Sequence, residues 1–136
     1  MTSYDDQIAL GVLTFLAKLQ DQVGALRRYL REEAHIAETV SFVECRQYEN
    51  GLFLSVCVEA EVDVGHTLTW WMDIVPQDDN WLLDARVSWN GQDVVVEFPE
   101  QFVRDFHAVQ REVPRIFDEL IESGKQVLER RSPDAM

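Results

Sequence analysis

One hundred and thirty-six residues, 46% of them hydrophobic, suffice for one domain with its own core, and nothing suggests a second. A net charge of −13, from 25 acidic against 12 basic residues, repels phosphate backbones and anionic lipid, so nucleic acid and membrane surfaces are poor partners. The acidic start Met1-Thr2-Ser3-Tyr4-Asp5-Asp6 is unlike a secretory signal, and the two cysteines, Cys45 and Cys57, have no metal-type spacing with each other or with His35, His66 or His107.

A reducing, cytoplasmic setting without a cofactor is therefore expected. The charge is uneven: residues 36–99 carry only Arg46 and Arg86 against twelve Asp and Glu, a net −10, while the flanking segments are close to neutral. Acidity of this kind keeps a protein soluble, and it also suits a basic protein surface as partner.

The first element is a helix over residues 4–34. Ile8, Val12, Phe15, Leu19, Val23, Leu26 and Leu30 recur at gaps of three and four. Ser3 with Asp6 resembles a capping box, and Arg27, Arg28 and Arg31 suit the negative end of the helix dipole. The run Ile8 to Leu19 is interrupted by Gly11, Thr14 and Lys18 and is too short to span a bilayer. Leu10, Leu13 and Leu16 lie beside the main stripe, and such a helix, about 46 Å long, outreaches a small sheet. The expectation is a homodimer in which this half of the helix meets its copy; a bend at Gly11 or Gly24 is the alternative.

Five strands should follow as an antiparallel meander. Asn50-Gly51 and Asn90-Gly91 are type I′ turn dipeptides between alternating runs. Two-residue loops there place Val43 opposite Val58, Cys45 opposite Val56, Val87 opposite Val94, Ala85 opposite Val96 and Leu83 opposite Phe98. Between them, loops at Val64-Gly65-His66 and at Gln77 to Asn80 align the remaining apolar positions. A second helical region is read over 100–131, from Phe102, Phe106, Val109, Val113, Phe117 and Leu120, with a kink or a short break at Pro114. Ser132-Pro133 ends it, so a single α+β domain over 1–131 precedes a disordered tail over 132–136, with both helices on one face of the sheet.

The predicted registers set the other sheet face. One row reads Glu44, Cys57, Asp73, Asp84, Glu97; the next reads Phe42, Glu59, Trp71, Arg86, Val95; the third reads Val40, Glu61, Thr69, Ser88, Asp93. Arg86 would lie beside Trp71 as a cation–π pair, and Tyr48 and Phe53 would point the same way as the acids. Three readings of this face stand side by side: a solvated outer surface, a docking surface for a basic partner with aromatic anchors, and a metal or acid–base site. Cys57 should face outward among acids as a poor thiolate, while Cys45 should face the core, which rules out a disulfide between them.

The chain has no G-x-S-x-G, phosphate-binding glycine loop, H-E-x-x-H or dinucleotide fingerprint, so no catalytic residue is nominated. Size, charge and helix–sheet–helix layout are similar to those of small acidic secretion chaperones and toxin-immunity proteins, with no shared motif. The expected function is a non-catalytic protein-binding module of chaperone, immunity or adaptor type. Its docking residues would be Phe42, Glu44, Tyr48, Phe53, Glu59, Glu61, Trp71, Asp73, Asp84, Arg86 and Glu97. The alternative is a small-molecule-binding or enzymatic domain with a pocket between the sheet and the kinked second helix, lined by Trp70, Met72, Trp89 and Phe98.

Overall fold

The computed structural model describes residues 4–48 and 51–131, with side chains for 10–46 and 53–130. The chain runs α1 (Tyr4–Glu32), β1 (Thr39–Tyr48), β2 (Gly51–Asp63), β3 (His66–Pro76), β4 (Trp81–Trp89), β5 (Asp93–Glu97), β6 (Gln101–Val103) and α2 (Phe106–Arg131). The strands form an antiparallel meander in the order β1-β2-β3-β4-β5, and β6 pairs with β4 on the same edge as β5. The fold is thus an α+β domain, a five-stranded meander flanked in sequence by two long helices, with its last strand in two pieces. The capping pair at Ser3, the tail 132–136 and Asn50 of the expected Asn50-Gly51 turn lie outside the described residues.

Both helices cover one sheet face. The inner row alternates as period two requires: Leu54, Val56, Val58 and Ala60 on β2, Leu68, Trp70, Met72 and Ile74 on β3, Leu83, Ala85 and Val87 on β4, all buried. Against them α1 sets Phe15, Leu19, Val23, Leu26 and Leu30, and α2 sets Val109, Val113, Ile116, Phe117, Leu120, Ile121 and Leu128. The α1 list repeats every three or four residues and the α2 list falls on one side of its helix, so each helix buries one stripe. Two amides stitch the helices together: Gln110 Nε2 donates to the Gly11 carbonyl at 3.0 Å, and Gln22 Nε2 donates to the Pro114 carbonyl and to Asp118, both at 2.8 Å.

Helix α1 ends where His35 takes a positive φ of 59° and the Ile36 amide donates back to the Leu30 carbonyl at 2.7 Å. Helix α2 starts later than the residue spacing indicated. Phe102 keeps the helical interval to Phe106 but sits in β6, and Asp105 caps the helix, its carboxylate accepting from the Ala108 amide at 2.9 Å. Nor does Pro114 break α2, which runs on as one helix from Phe106 to Arg131. Pro114 leaves the Gln110 carbonyl without its usual donor, and the buried residues either side of it, Val113, Ile116 and Phe117, hold the helix on the sheet.

Three of the four hairpin registers depart from the expectation, and each is displaced by two residues at the far end. In β1–β2 Gly51 pairs with Tyr48 and so belongs to the ladder; Val43 faces Val56, not Val58, and Cys45 faces Leu54, not Val56. In β2–β3 the loop is Val64-Gly65, with His66 already in the ladder and a bulge between Glu61 and Asp63. The Asn90-Gly91 turn has the expected conformation, φ 56° and 70° with the Gln92 amide donating to the Trp89 carbonyl. The strand after it slips: Trp89 pairs with Asp93, Ser88 with Val94 and Val87 with Val96, which leaves Val95 as a bulge. Consequently Val94 faces outward, 48% exposed, rather than meeting Val87, and it is Phe98 whose amide donates to Ala85. Only β3–β4 matches the expectation throughout, with Trp71 opposite Arg86 and Asp73 opposite Asp84.

Glycine 124 sits on α2 directly over Trp70. A Cβ added there would overlap the indole ring, and Trp70 Nε1 donates to the Ile121 carbonyl through this contact at 3.4 Å. Gly124→Ala should therefore destabilise the fold by about 1–3 kcal/mol in urea unfolding, although Ala is the better helix former. Equal stability of the two proteins would show that α2 rides clear of Trp70.

Candidate functional site

Neither α1 nor α2 lies over the sheet's outer face, and strand alternation places its side chains in rows. The first observed row is Glu44, Ser55, Asp73 and Asp84, and the second is Phe42, Cys57, Trp71, Arg86 and Glu97. The third is Val40, Glu59, Thr69, Ser88 and Val94. Relative to the expected rows, Ser55 stands beside Asp73 where Cys57 was expected, and Glu97 stands opposite Arg86 instead of Asp84. The docking residues Phe42, Glu44, Phe53, Glu59, Glu61, Trp71, Asp73, Asp84, Arg86 and Glu97 all share this face. The Tyr48 side chain lies outside the described residues.

The centre of the face is lined by small residues. Ser55, Cys57, Thr69 and Ser88 are buried although no helix covers them. Larger neighbours close over them: Phe42 on β1 and Trp71 on β3 meet edge to face, centroids 5.7 Å apart, across the Cys57 position on the strand between. Trp71 takes Phe42 as its ring partner, and the Arg86 guanidinium is drawn instead to Asp84 at 3.8 Å. The paired acids Asp73 and Asp84 are relieved on both sides, since Ser55 Oγ donates to Asp73 at 2.7 Å and Arg86 flanks Asp84. Arg46 likewise pairs with Glu44 at 2.7 Å.

Beside the first row runs an apolar one that the expected rows did not include. Leu82 faces Val75 on one side and Phe102 on the other, and Phe53 continues the line one step beyond the Leu54–Ile74 pair. Phe102 is 61% exposed and Val40, in the third row, 66%. The helical interval to Phe106 masks the place of Phe102 in a strand. The acids thus lie between apolar side chains on a surface both charged and apolar.

The inner-face residues considered for a pocket are core instead. Trp70 and Met72 are fully buried, and Trp89 and Phe98 pack against the core from its margin. Among the described residues, no group of three or more His, Cys, Asp or Glu is placed to hold a metal ion. His66 is stacked on Trp89 at 6.0 Å rather than loose in a loop. No helix among the described residues is long and apolar enough to cross a membrane.

The cysteines divide differently from the expectation in one respect. Cys57 does face outward and is buried, its thiol pushed up to about 12 by desolvation and by the charges of Glu59 and Asp73. Cys45, on the inner side by alternation, is exposed because it lies towards the far end of edge strand β1, where no core residue covers it. Both thiols are free. The chain matches no family model, no curated protein and no solved structure.

Thiol labelling at pH 8 tests this placement. One equivalent should react quickly in the native protein, at Cys45, and the second only after unfolding, because burial and the charges of Glu59 and Asp73 keep folded Cys57 a covered thiol. Two fast equivalents in the native state would mean that the Phe42–Trp71 cover is open.

Proposed function

We propose that this protein is a non-catalytic binding module, of chaperone, immunity or adaptor type, that docks a basic protein surface on the outer face of its sheet. The observation that carries this reading is an uncovered face where the carboxylates of Glu44, Glu59, Asp73, Asp84 and Glu97 border the aromatic pair Phe42–Trp71 and the apolar row ending at Phe102. Acids supply steering and orientation, and the flat apolar patches supply area that is worth removing from water. A partner with Lys or Arg beside apolar residues complements both.

Capture from an extract of the native host, repeated across a salt series, tests it. Proteins retained at low salt should be released as salt rises, since the Debye length shrinks from about 10 Å at 0.1 M to about 3 Å at 1 M. They should also be lost with Glu59→Lys/Glu61→Lys and kept with Asp21→Lys, an exposed site on α1. Equal retention by both variants would overturn the reading, as would no retention at low salt.

We also infer self-association through α1. Leu10 and Leu13 are 63% and 64% exposed on a 29-residue helix about 43 Å long, whereas Leu16 turns inward and packs on the core. A second copy of α1 laid across Leu10 and Leu13 would bury both. Sedimentation at micromolar concentration should give a dimer that Leu13→Asp converts to monomer, because a lone charge in an apolar seam is costly. A wild-type monomer would remove this part of the proposal and leave the sheet-face reading untouched.

A further inference from the structure

The last two turns of α1 carry the opposite charge to the sheet. Gly24, Arg27, Arg28 and Arg31 fall at intervals of three and four, so they form one stripe, and with Ala37 and Thr39 they line a cleft of about 370 Å³. That volume is near the lower end of the roughly 300–1,000 Å³ usual for small-molecule sites.

How these arginines are held sets them apart from the neighbouring helix. On α2, Arg115 is bound by Glu112 at 2.6 Å and by Glu119 at 2.9 Å, and Arg111 leans on Glu112 at 3.3 Å. Arg27 instead donates from Nε to the Thr39 hydroxyl and from Nη1 to the Ser41 hydroxyl, both at 3.2 Å. Those partners are neutral: they fix the guanidinium against β1 and leave its full charge uncompensated. Arg31 has a single loose contact with Glu32 at 3.7 Å, at the surface. Arg28 makes no hydrogen bond or ion pair among the described residues.

Like charges three and four residues apart repel, so this stripe costs stability while empty and gains from an anion seated in it. The glycine removes a side chain from the cleft wall, where a Cβ would meet nothing within 4 Å. Guanidinium forks match the oxygens of a phosphate two at a time. The acidic sheet face does not cancel the attraction, because at about 0.15 M salt its field decays over roughly 8 Å.

We propose that this cleft binds the phosphate group of a soluble phosphate monoester, with Arg28 and Arg31 as the principal ligands and Arg27 as the fixed wall. The site is separate from the sheet face, and its existence does not depend on what that face binds. Titration of the full chain with inorganic phosphate and with glycerol phosphate, followed by backbone amide NMR at constant ionic strength in chloride, tests it. Saturable shifts should appear over residues 24–39 for both ligands, with affinity at least ten-fold weaker in Arg28→Gln/Arg31→Gln and unchanged in Arg115→Gln. Arg27 is left in place because it also holds Thr39 and Ser41. The proposal fails if the shifts rise linearly without saturation, or if they survive the double substitution. It fails equally if phosphate binds and the monoester does not.

Discussion

Everything on the inner side of this molecule is set by the volume of Trp70. The indole lies fully buried in the central strand, and α2 can cross it closely only where the helix has no side chain, at Gly124. That contact fixes the rotation of α2, because placing Gly124 over the ring directs Phe117, Leu120 and Ile121 into the same layer. It fixes its height as well, since the Trp70 N–H must reach a carbonyl of the helix to be satisfied in an apolar core. With α2 placed, α1 has one remaining slot over β1 and β2, and the Gln110 and Gln22 amides fasten it there.

The outer side follows a different logic. A sheet face without a helix must still bury its centre, and here small residues in the middle strands are roofed by the long side chains around them. Charge is then admitted at the margins of that roof, where water and arginine can reach it. A surface built this way is packed underneath and charged at its margins, and the proposed docking of a basic partner rests on that combination.

Much of the architecture was legible in the sequence because helices and strands impose different periods. The α1 stripe from Phe15 to Leu30 and the inner rows of β2, β3 and β4 could be read directly, and the β3–β4 register followed from turn residues at Asp78-Asp79-Asn80. Registers of the other hairpins were not legible, because a shift of two residues preserves which face a side chain takes, Val94 before the Val95 bulge being an exception. Face membership of Phe42, Trp71, Asp73 and Asp84 therefore came out as expected, while cross-strand partners such as Glu44 with Ser55 did not. Bulges at Val62 and Val95 are equally hidden, since nothing local marks the extra residue. Phe102 was misplaced for the opposite reason: four residues before Phe106 fits a helix, and only the cap at Asp105 separates it from one.

The two borders of the sheet are unlike each other. On the β5–β6 side the backbone is interrupted at Pro99, bulged at Val95 and leaves a strand of only three residues, Gln101–Val103. On the β1 side ten consecutive residues, Thr39–Tyr48, run without a break. An extended segment from another polypeptide could pair along the second border and would find no continuous ladder along the first. Addition of that kind consumes its own template: two molecules joined β1 to β1 present only interrupted borders to a third. Were such pairing to occur, the interrupted β5–β6 border would offer it no second continuous ladder to repeat along.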